Sequence, residues 1–200
     1  DSISSISEVS KGVYLIQLNK CEEREFEDFI KTSLGLKGLI FDARKGINLR
    51  SNILRFITKD TLSYPLVYTP QYGLPNQDSL SFLISNQNEY IFGNSRTNYP
   101  TVLITSGINY SSNETFISLA EQIESLTIIG ESSGGCNGMV NTFKCIGGFE
   151  FRFTGSVVYK NTSEQLYNIG FIPDIIVKQK AKDFLKGHDS AMDKAIKLLL

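Results

Sequence analysis

The segment YSSNE, at residues 110–114, carries side chains that could do nucleophilic chemistry. Ser111 and Ser112 follow a short apolar run at residues 101–105, and they precede a stretch whose apolar residues recur at helical spacing. They are therefore predicted to lie at the N-terminus of a helix, where unpaired N–H groups and the helix dipole favour negative charge. A serine in such a turn could be a nucleophile.

Ser111 also has a purely structural interpretation. With Glu114 three residues later it fits the capping-box pattern S-x-x-E, in which the hydroxyl and the carboxylate accept hydrogen bonds from N–H groups at the helix start. Capping serines are common and nucleophiles are rare, so these residues taken alone favour the cap.

The composition is that of a globular protein of one domain, residues 1–200, with 41% hydrophobic and 20% charged residues. Twenty basic and 21 acidic residues give a formal net charge of -1 without any block of like charge, so neither nucleic acid nor an anionic membrane is an expected partner. No apolar run reaches the length of a membrane span. Cys21, Cys136 and Cys145 are too scattered for a zinc site, although Cys136 and Cys145 could meet across a hairpin.

The elements that must position the serines form an α/β pattern. In the first part of the chain, hydrophobic periodicity predicts strands at residues 12–18, 36–44 and 65–70 and helices at residues 21–34 and 51–62. Residues 70–98 form a polar, aromatic, turn-rich insertion with one predicted strand at residues 89–92. The insertion could be a lid over a cleft or an exposed hairpin.

The second part of the chain is predicted to place the serines between two buried strands. Strands at residues 101–105 and 126–130 flank the helix that follows Ser112, and a β-rich end then precedes the closing helices. The remaining predictions are strands at residues 139–144, 149–160, 165–171 and 175–177, a hairpin turn at Gly147-Gly148, and helices at residues 181–187 and 190–200. The fold class is α/β with a mostly parallel sheet.

Four segments, in this order and at these distances, resemble a known family. They are KGLIFDAR, YPTVLITSGINYSSNE, LTIIGESSGG and NIGFIPDIIV. Together they resemble the catalytic domain of the C-terminal-processing (tail-specific) serine proteases, in particular the branch related to tricorn and to interphotoreceptor retinoid-binding protein. The resemblance implies a crotonase-like fold, as in the Clp protease and crotonase superfamily, in which ββα units surround a mostly parallel sheet.

The resemblance also implies a mechanism. Ser111 falls on the nucleophile position, and the oxyanion would be held by the N–H of Ser112 and by a second N–H from the loop after Asp42-Ala43-Arg44. The substrate or ligand would be a polypeptide, and no metal or organic cofactor is implied. Because such proteins are commonly exported, the implied compartment is periplasmic or extracellular.

Several positions depart from the family pattern. The lysine base of the Ser–Lys proteases corresponds to Cys136, and the glutamate of the tricorn-like proteins corresponds to Tyr167. Of the glycine-rich turn after the Asp-x-Arg motif only Gly46 remains, and the one histidine, His188, is expected to be a solvated loop residue. No general base is therefore visible in the sequence.

The loop GESSGG has two interpretations as well. Glu131, Gly134, Gly135 and Cys136 could line the substrate cleft, or the paired glycines could simply make a turn and Glu131 a solvated strand end. Tyr167 could hydrogen-bond Ser111 or pack within the fold.

Two hypotheses about function follow. The chain is a serine peptidase whose base lies on an upstream domain or a partner subunit, or it is a catalytically inactive family member that binds peptides or acts as a scaffold. A crotonase-like acyl-CoA enzyme is a more remote alternative, because the Ser-x-x-Glu turn and the Pro-Asp motif resemble those of proteases.

Overall fold

A computed structural model describes residues 4–71, 81–95, 98–160 and 164–200. In chain order the described elements are β1 (Ile6–Ser10), β2 (Val13–Gln17), α1 (Glu23–Thr32), β3 (Gly38–Asp42), a 3₁₀ helix (Ser51–Phe56), β4 (Thr61–Ser63), β5 (Leu66–Gln71), β6 (Ser81–Ser85), β7 (Tyr90–Phe92), β8 (Thr101–Thr105), α2 (Ser112–Ala120), β9 (Leu126–Gly130), β10 (Val140–Lys144), β11 (Glu150–Thr154), β12 (Val157–Tyr159), β13 (Ile175–Ile176), α3 (Ala181–Phe184) and α4 (Ser190–Leu199).

The main sheet has the strand order β1-β2-β3-β8-β9-β13. Strands β2, β3, β8, β9 and β13 run parallel, and β1 joins β2 as an antiparallel edge strand. β8 is buried along its whole length, which explains its nearly continuous apolar sequence. The prediction of an α/β fold with a mostly parallel sheet is confirmed.

Hydrophobic layers cover both faces of the sheet. Because successive residues of a strand point to opposite faces, Phe41 of β3 packs toward α1 and α2, while Ile40 packs toward α4. Phe41 lies between Phe26 of α1 and Phe116 of α2, at ring-centroid distances of 5.6 Å and 6.4 Å. These two layers fix the sheet between helices, so that the loops at its carboxyl edge are held by rigid elements.

Several predicted elements differ in the structure. The helix predicted at residues 51–62 is a shorter 3₁₀ helix followed by β4, because the Thr58 hydroxyl and Asn98 turn the chain through hydrogen bonds with Asp60. The strand predicted at residues 165–171 is wrong: that stretch contains a turn and an isolated bridge between Tyr159 and Gln165. Sequence periodicity also missed β1 and β6, and the predicted strand at residues 149–160 is two strands, β11 and β12.

The insertion at residues 70–98 contributes to two small antiparallel sheets. β5 pairs with β6 and β12, and β4 pairs with β7. Residues 72–80 and 96–97 of the insertion lie outside the described residues, and its role as a lid remains a prediction. The hairpin β10–β11, predicted from Gly147-Gly148, is confirmed.

Pairing of Cys136 with Cys145 is contradicted, because all three cysteines are free. Cys136 lies near the base of the hairpin β10–β11, with its Sγ atom 3.8 Å from the Thr154 hydroxyl, whereas Cys145 directly follows β10 at the far end. Two residues at opposite ends of a five-residue strand are too far apart for a disulfide.

The cysteines are expected to differ in reactivity. Cys21 is 4% exposed, and burial, followed by the charge of Glu25, raises the pKa of its thiol to about 12. Since only the thiolate is nucleophilic, iodoacetamide at neutral pH should modify exposed Cys136 in the folded protein and Cys21 only after unfolding. Peptide mass spectrometry over time checks this, and equal rates at the two residues would contradict the described burial.

Candidate active site

Ser111 has a backbone conformation that serines rarely adopt. It lies between β8 and α2 with φ 56° and ψ -124°. Its N–H donates to the carbonyl oxygen of Cys136 at 2.8 Å, and its own carbonyl accepts from the N–H of Glu114 at 2.8 Å. A non-glycine residue in such a region costs about 1–3 kcal/mol and persists only where surrounding contacts hold it. The turn is therefore a strained strand-to-helix elbow.

The capping-box interpretation of Ser111 and Glu114 is wrong. The Ser111 side chain makes no capping hydrogen bond to α2. The Glu114 carboxylate turns inward instead, is fully buried, and accepts hydrogen bonds from the Ser133 hydroxyl at 2.5 Å, the Gly135 N–H at 2.8 Å and the Cys136 N–H at 3.0 Å. The Ser111 hydroxyl is thus free of the structural role that its spacing from Glu114 predicted.

Backbone N–H groups near Ser111 could bind an oxyanion. Ser112 is the first residue of α2, and within the described ranges its N–H has no hydrogen-bond acceptor. In the loop after β3 the N–H groups of three residues are occupied, since Gly46 donates to Ala43, Ile47 to the Asn113 side chain and Asn48 to Leu18. The N–H groups of Lys45 and Leu49 have no acceptor among the described residues.

Two asparagines connect this loop to the elbow. Asn109 is fully buried; its Nδ2 donates to the Ala43 carbonyl at 2.8 Å, and its Oδ1 accepts from the Ser106 N–H at 2.8 Å. Asn113 of α2 accepts from the Ile47 N–H at 3.1 Å. The loop after β3 and the turn after β8 are therefore held at a fixed separation, although residues 43 and 109 are far apart in sequence.

A cavity of about 560 Å³ adjoins Ser112 at the start of α2. Its walls are the loop at residues 47–52 together with Tyr64, Tyr90 and Ile91. The cavity has the size and mixed polarity to receive a side chain of an extended peptide.

The sequence matches the profile of peptidase family S41 over residues 12–177. The chain belongs to this family. The resemblance to C-terminal-processing serine proteases is thereby confirmed. No curated protein sequence matches the chain significantly.

Solved structures share the fold of this S41 domain. A candidate peptidase from Parabacteroides merdae is 20% identical with a TM-score of 0.78, and the match covers 98% of this chain and 64% of that one. Mature CPAF is 16% identical with a TM-score of 0.72, covering 97% and 53%. The photosystem II D1 C-terminal processing protease is 16% identical with a TM-score of 0.55, covering 83% and 42%. The S41 chain thus spans less than two thirds of these relatives, and the likenesses show the fold alone.

The glycines predicted to line the cleft lie beside the elbow. Gly134 donates its N–H to the Asn109 carbonyl at 2.8 Å. Gly135 is buried at φ +67°, and a Cβ there would come within 2.9 Å of the Ile169 backbone. Gly46 has φ +93°, and a Cβ there would lie 3.8 Å from the Asn113 Oδ1 atom, at ordinary contact distance. Glycine is favoured at position 135 both by the positive φ and by the lack of space for a Cβ. At position 46 only the positive φ favours it.

The remaining predicted residues lie around the same edge of the sheet. Cys136 is exposed and contributes its backbone to the elbow, Glu131 is exposed at the end of β9, and Tyr167 is 38% exposed in a turn of the chain. Sequence reasoning missed Asn109 and Ser133, both buried polar residues. Both lie within segments that carry the family resemblance, but nothing in the sequence shows that their side chains are buried.

The S41 site shows no general base in contact with its serine. Among the residues that the structure describes, no side chain hydrogen-bonds the Ser111 hydroxyl. His188 lies in the loop before α4, where its Nδ1 is 3.1 Å from the Asp193 carboxylate and its side chain is 54% exposed. His188 itself lines a second cavity with Leu15 and Met192, and this cavity also reaches Lys45 of the loop after β3.

Arg44 joins the same edge of the sheet to α4. Its guanidinium donates to Asp42 through Nε at 2.9 Å and through Nη2 at 2.7 Å, and to Asp189 through Nη1 at 2.9 Å. Asp189 also accepts from the Met192 N–H at 3.0 Å as the N-cap of α4. Burial acts to raise the pKa of Asp189, but these hydrogen bonds and the charge of Arg44 outweigh it and leave the pKa below its ordinary value.

Asp189→Asn should lower stability near neutral pH and have little effect in acid. A carboxyl group with a lowered pKa in the folded state stabilises above its unfolded pKa of about 3.9, and this contribution is lost as the pH falls through the folded value. Asparagine keeps the helix cap, so the substitution mainly removes the charge. Melting temperatures of both proteins at pH 7 and pH 3 test this; Asp28→Asn, at an exposed position of α1, is the control. A difference that is the same at both pH values would contradict the role of the charge.

Proposed function

We propose that this S41 chain is a serine peptidase domain that hydrolyses peptide bonds through Ser111, with a general base supplied from outside the described residues. The observation that carries the proposal is the strained elbow at Ser111. A capping serine needs an ordinary extended backbone, whereas a nucleophile on a sharp turn presents its hydroxyl clear of the helix. Retaining a conformation that costs about 1–3 kcal/mol supports a functional role.

The arrangement supports acyl transfer in two steps. The Ser111 oxygen attacks the carbonyl carbon of the scissile bond while the base takes the hydroxyl proton. The N–H of Ser112, with a second from Lys45 or Leu49, holds the oxyanion. The base then protonates the departing amine, and water, activated by the same base, releases the peptide acid and regenerates Ser111.

We also propose that the domain has a crotonase-like fold. The succession of a β-hairpin, α1 and β3, and the return of the chain through β8, α2 and β9, support a crotonase-like core. A periplasmic or extracellular compartment remains a proposal from the family resemblance. In the described ranges, no helix has the length and apolar character needed to cross a membrane.

A non-catalytic peptide-binding role is the second candidate. It is favoured by Cys136 and Tyr167 at the positions where relatives carry a base or an acid, and by the occupied N–H groups of Gly46, Ile47 and Asn48. The cavity beside Ser112 would bind a peptide side chain equally well in this case.

Labelling with a fluorophosphonate separates the two candidates. The protein at its full natural length is treated with the probe, and modified peptides are identified by mass spectrometry for the wild type, Ser111→Ala and Ser112→Ala. We expect labelling at Ser111 in the wild type and in Ser112→Ala, which keeps the backbone N–H, and none in Ser111→Ala. Absence of labelling in the folded full-length protein would overturn the peptidase proposal and favour peptide binding without cleavage.

A further inference from the structure

We propose that Glu114 is a positioning residue that holds Ser111 in its strained conformation through the loop at residues 133–136. The proposal rests on the proposed role of Ser111 as the nucleophile, and it assigns to the glutamate of the S-x-x-E pattern a task other than capping.

A closed ring of hydrogen bonds connects Glu114 to Ser111. The Ser111 N–H donates to the Cys136 carbonyl at 2.8 Å, the Cys136 N–H donates to Glu114 Oε2 at 3.0 Å, and the Glu114 N–H donates to the Ser111 carbonyl at 2.8 Å. Cys136 thus contacts both residues through its own peptide groups. A displacement of its backbone would break the bond that fixes the amide of Ser111.

The carboxylate also prevents the loop from moving as a unit. Glu114 Oε1 accepts from the Ser133 hydroxyl and from the Gly135 N–H, and Ser133 in turn accepts from the Phe171 N–H at 2.7 Å. The Gly135 carbonyl accepts from the Asn168 N–H at 2.8 Å. The loop is therefore anchored on α2 from one side and on residues 168–171 from the other.

Glutamine cannot reproduce the contacts of this side chain. Glu114 is fully buried, and its two side-chain oxygens together accept from three donors. A glutamine side chain has one oxygen and one NH₂ group. Because the NH₂ group is itself a donor, at least one of the three donors would face it and lose its acceptor. Glu114→Gln therefore keeps the shape and removes part of the anchoring.

A double-mutant cycle on folding stability tests the link. Ser111→Gly removes the strain, because glycine adopts positive φ without penalty, and should raise the folding equilibrium constant about 5- to 30-fold in the wild-type background. In the Glu114→Gln background, where the elbow can relax, we expect the gain to fall below about twofold. An equal gain in both backgrounds would overturn the proposal.

The control is Ile117→Val, at a fully buried position on the same helix, because its apolar side chain can make no hydrogen bond to the loop. It should lower stability while leaving the gain from Ser111→Gly unchanged, and a lost gain there would also overturn the proposal. If Glu114→Gln does not fold, Ser133→Ala takes its place, since it removes one donor to Glu114 and the acceptor of the Phe171 N–H. If Ser111→Gly gave an undiminished gain in stability in the Ser133→Ala background, the proposal would likewise be overturned.

The fluorophosphonate separates this proposal from the proposed function. The cycle reads stability alone, so coupling without any labelling at Ser111 would support the positioning role and reject the peptidase. If the wild type is labelled, folded Glu114→Gln should react at least tenfold more slowly. Labelling of that variant at the wild-type rate would overturn the positioning role and leave the nucleophile standing.

Discussion

Replacing Asn109 by alanine is expected to lower the free energy of unfolding by about 1–3 kcal/mol, because the partly buried Ser106 N–H loses its acceptor and the buried Ala43 carbonyl keeps only the Gly46 N–H. The side chain accepts from the Ser106 N–H and donates to the Ala43 carbonyl, and both bonds measure 2.8 Å. A buried group left unsatisfied costs about 1–3 kcal/mol. Chemical denaturation of the purified variant measures the change.

Asn113→Ala is the matched control for Asn109→Ala. Asn113 is partly exposed, and its bonds to Ile47, at 3.1 Å and 3.5 Å, and to Asn109, at 3.3 Å, are longer. Its loss should cost about 1 kcal/mol or less. If both variants were equally stable, the connection between the loop after β3 and the elbow would not depend on Asn109.

Phe41→Ala is expected to cost about 3–5 kcal/mol. Phe41 is fully buried at the centre of the layer between the sheet, α1 and α2, and its ring contacts those of Phe26 and Phe116. Alanine would leave a cavity that two helices and a strand cannot fill by small shifts. Denaturation with urea tests the prediction.

The control for Phe41→Ala is Phe92→Ala, because Phe92 is 68% exposed on β7. Its removal should change the free energy of unfolding by about 0.5 kcal/mol or less. A loss below about 1.5 kcal/mol for Phe41→Ala would show that the layer repacks around the missing ring.

The parallel core could be predicted because its strands carry their own signal. β3, β8 and β9 are short apolar runs ended by turn residues, and burial on both faces accounts for that composition. The 3₁₀ helix at residues 51–56 could not be separated from a longer helix, because the bonds that end it come from Asp60 and from Asn98, many residues downstream.

Local sequence patterns likewise predicted only part of the candidate site. The position of Ser111 between β8 and α2 follows from local patterns, but the direction of the Glu114 side chain does not. Its carboxylate can satisfy the helix start or the loop at residues 133–136, and both options look identical as S-x-x-E. The choice depends on tertiary packing that brings Gly135 against α2.

The elbow at Ser111 has a consequence for the order of events during synthesis. Its conformation depends on the Cys136 carbonyl, and that loop depends on residues 168–171. A nascent chain that has emerged only as far as α2 therefore has the serine but not the contacts that constrain it. Closing these distant contacts is slow compared with forming the local helices. The conformation of Ser111 can thus be completed only after the chain has been synthesised as far as residue 171.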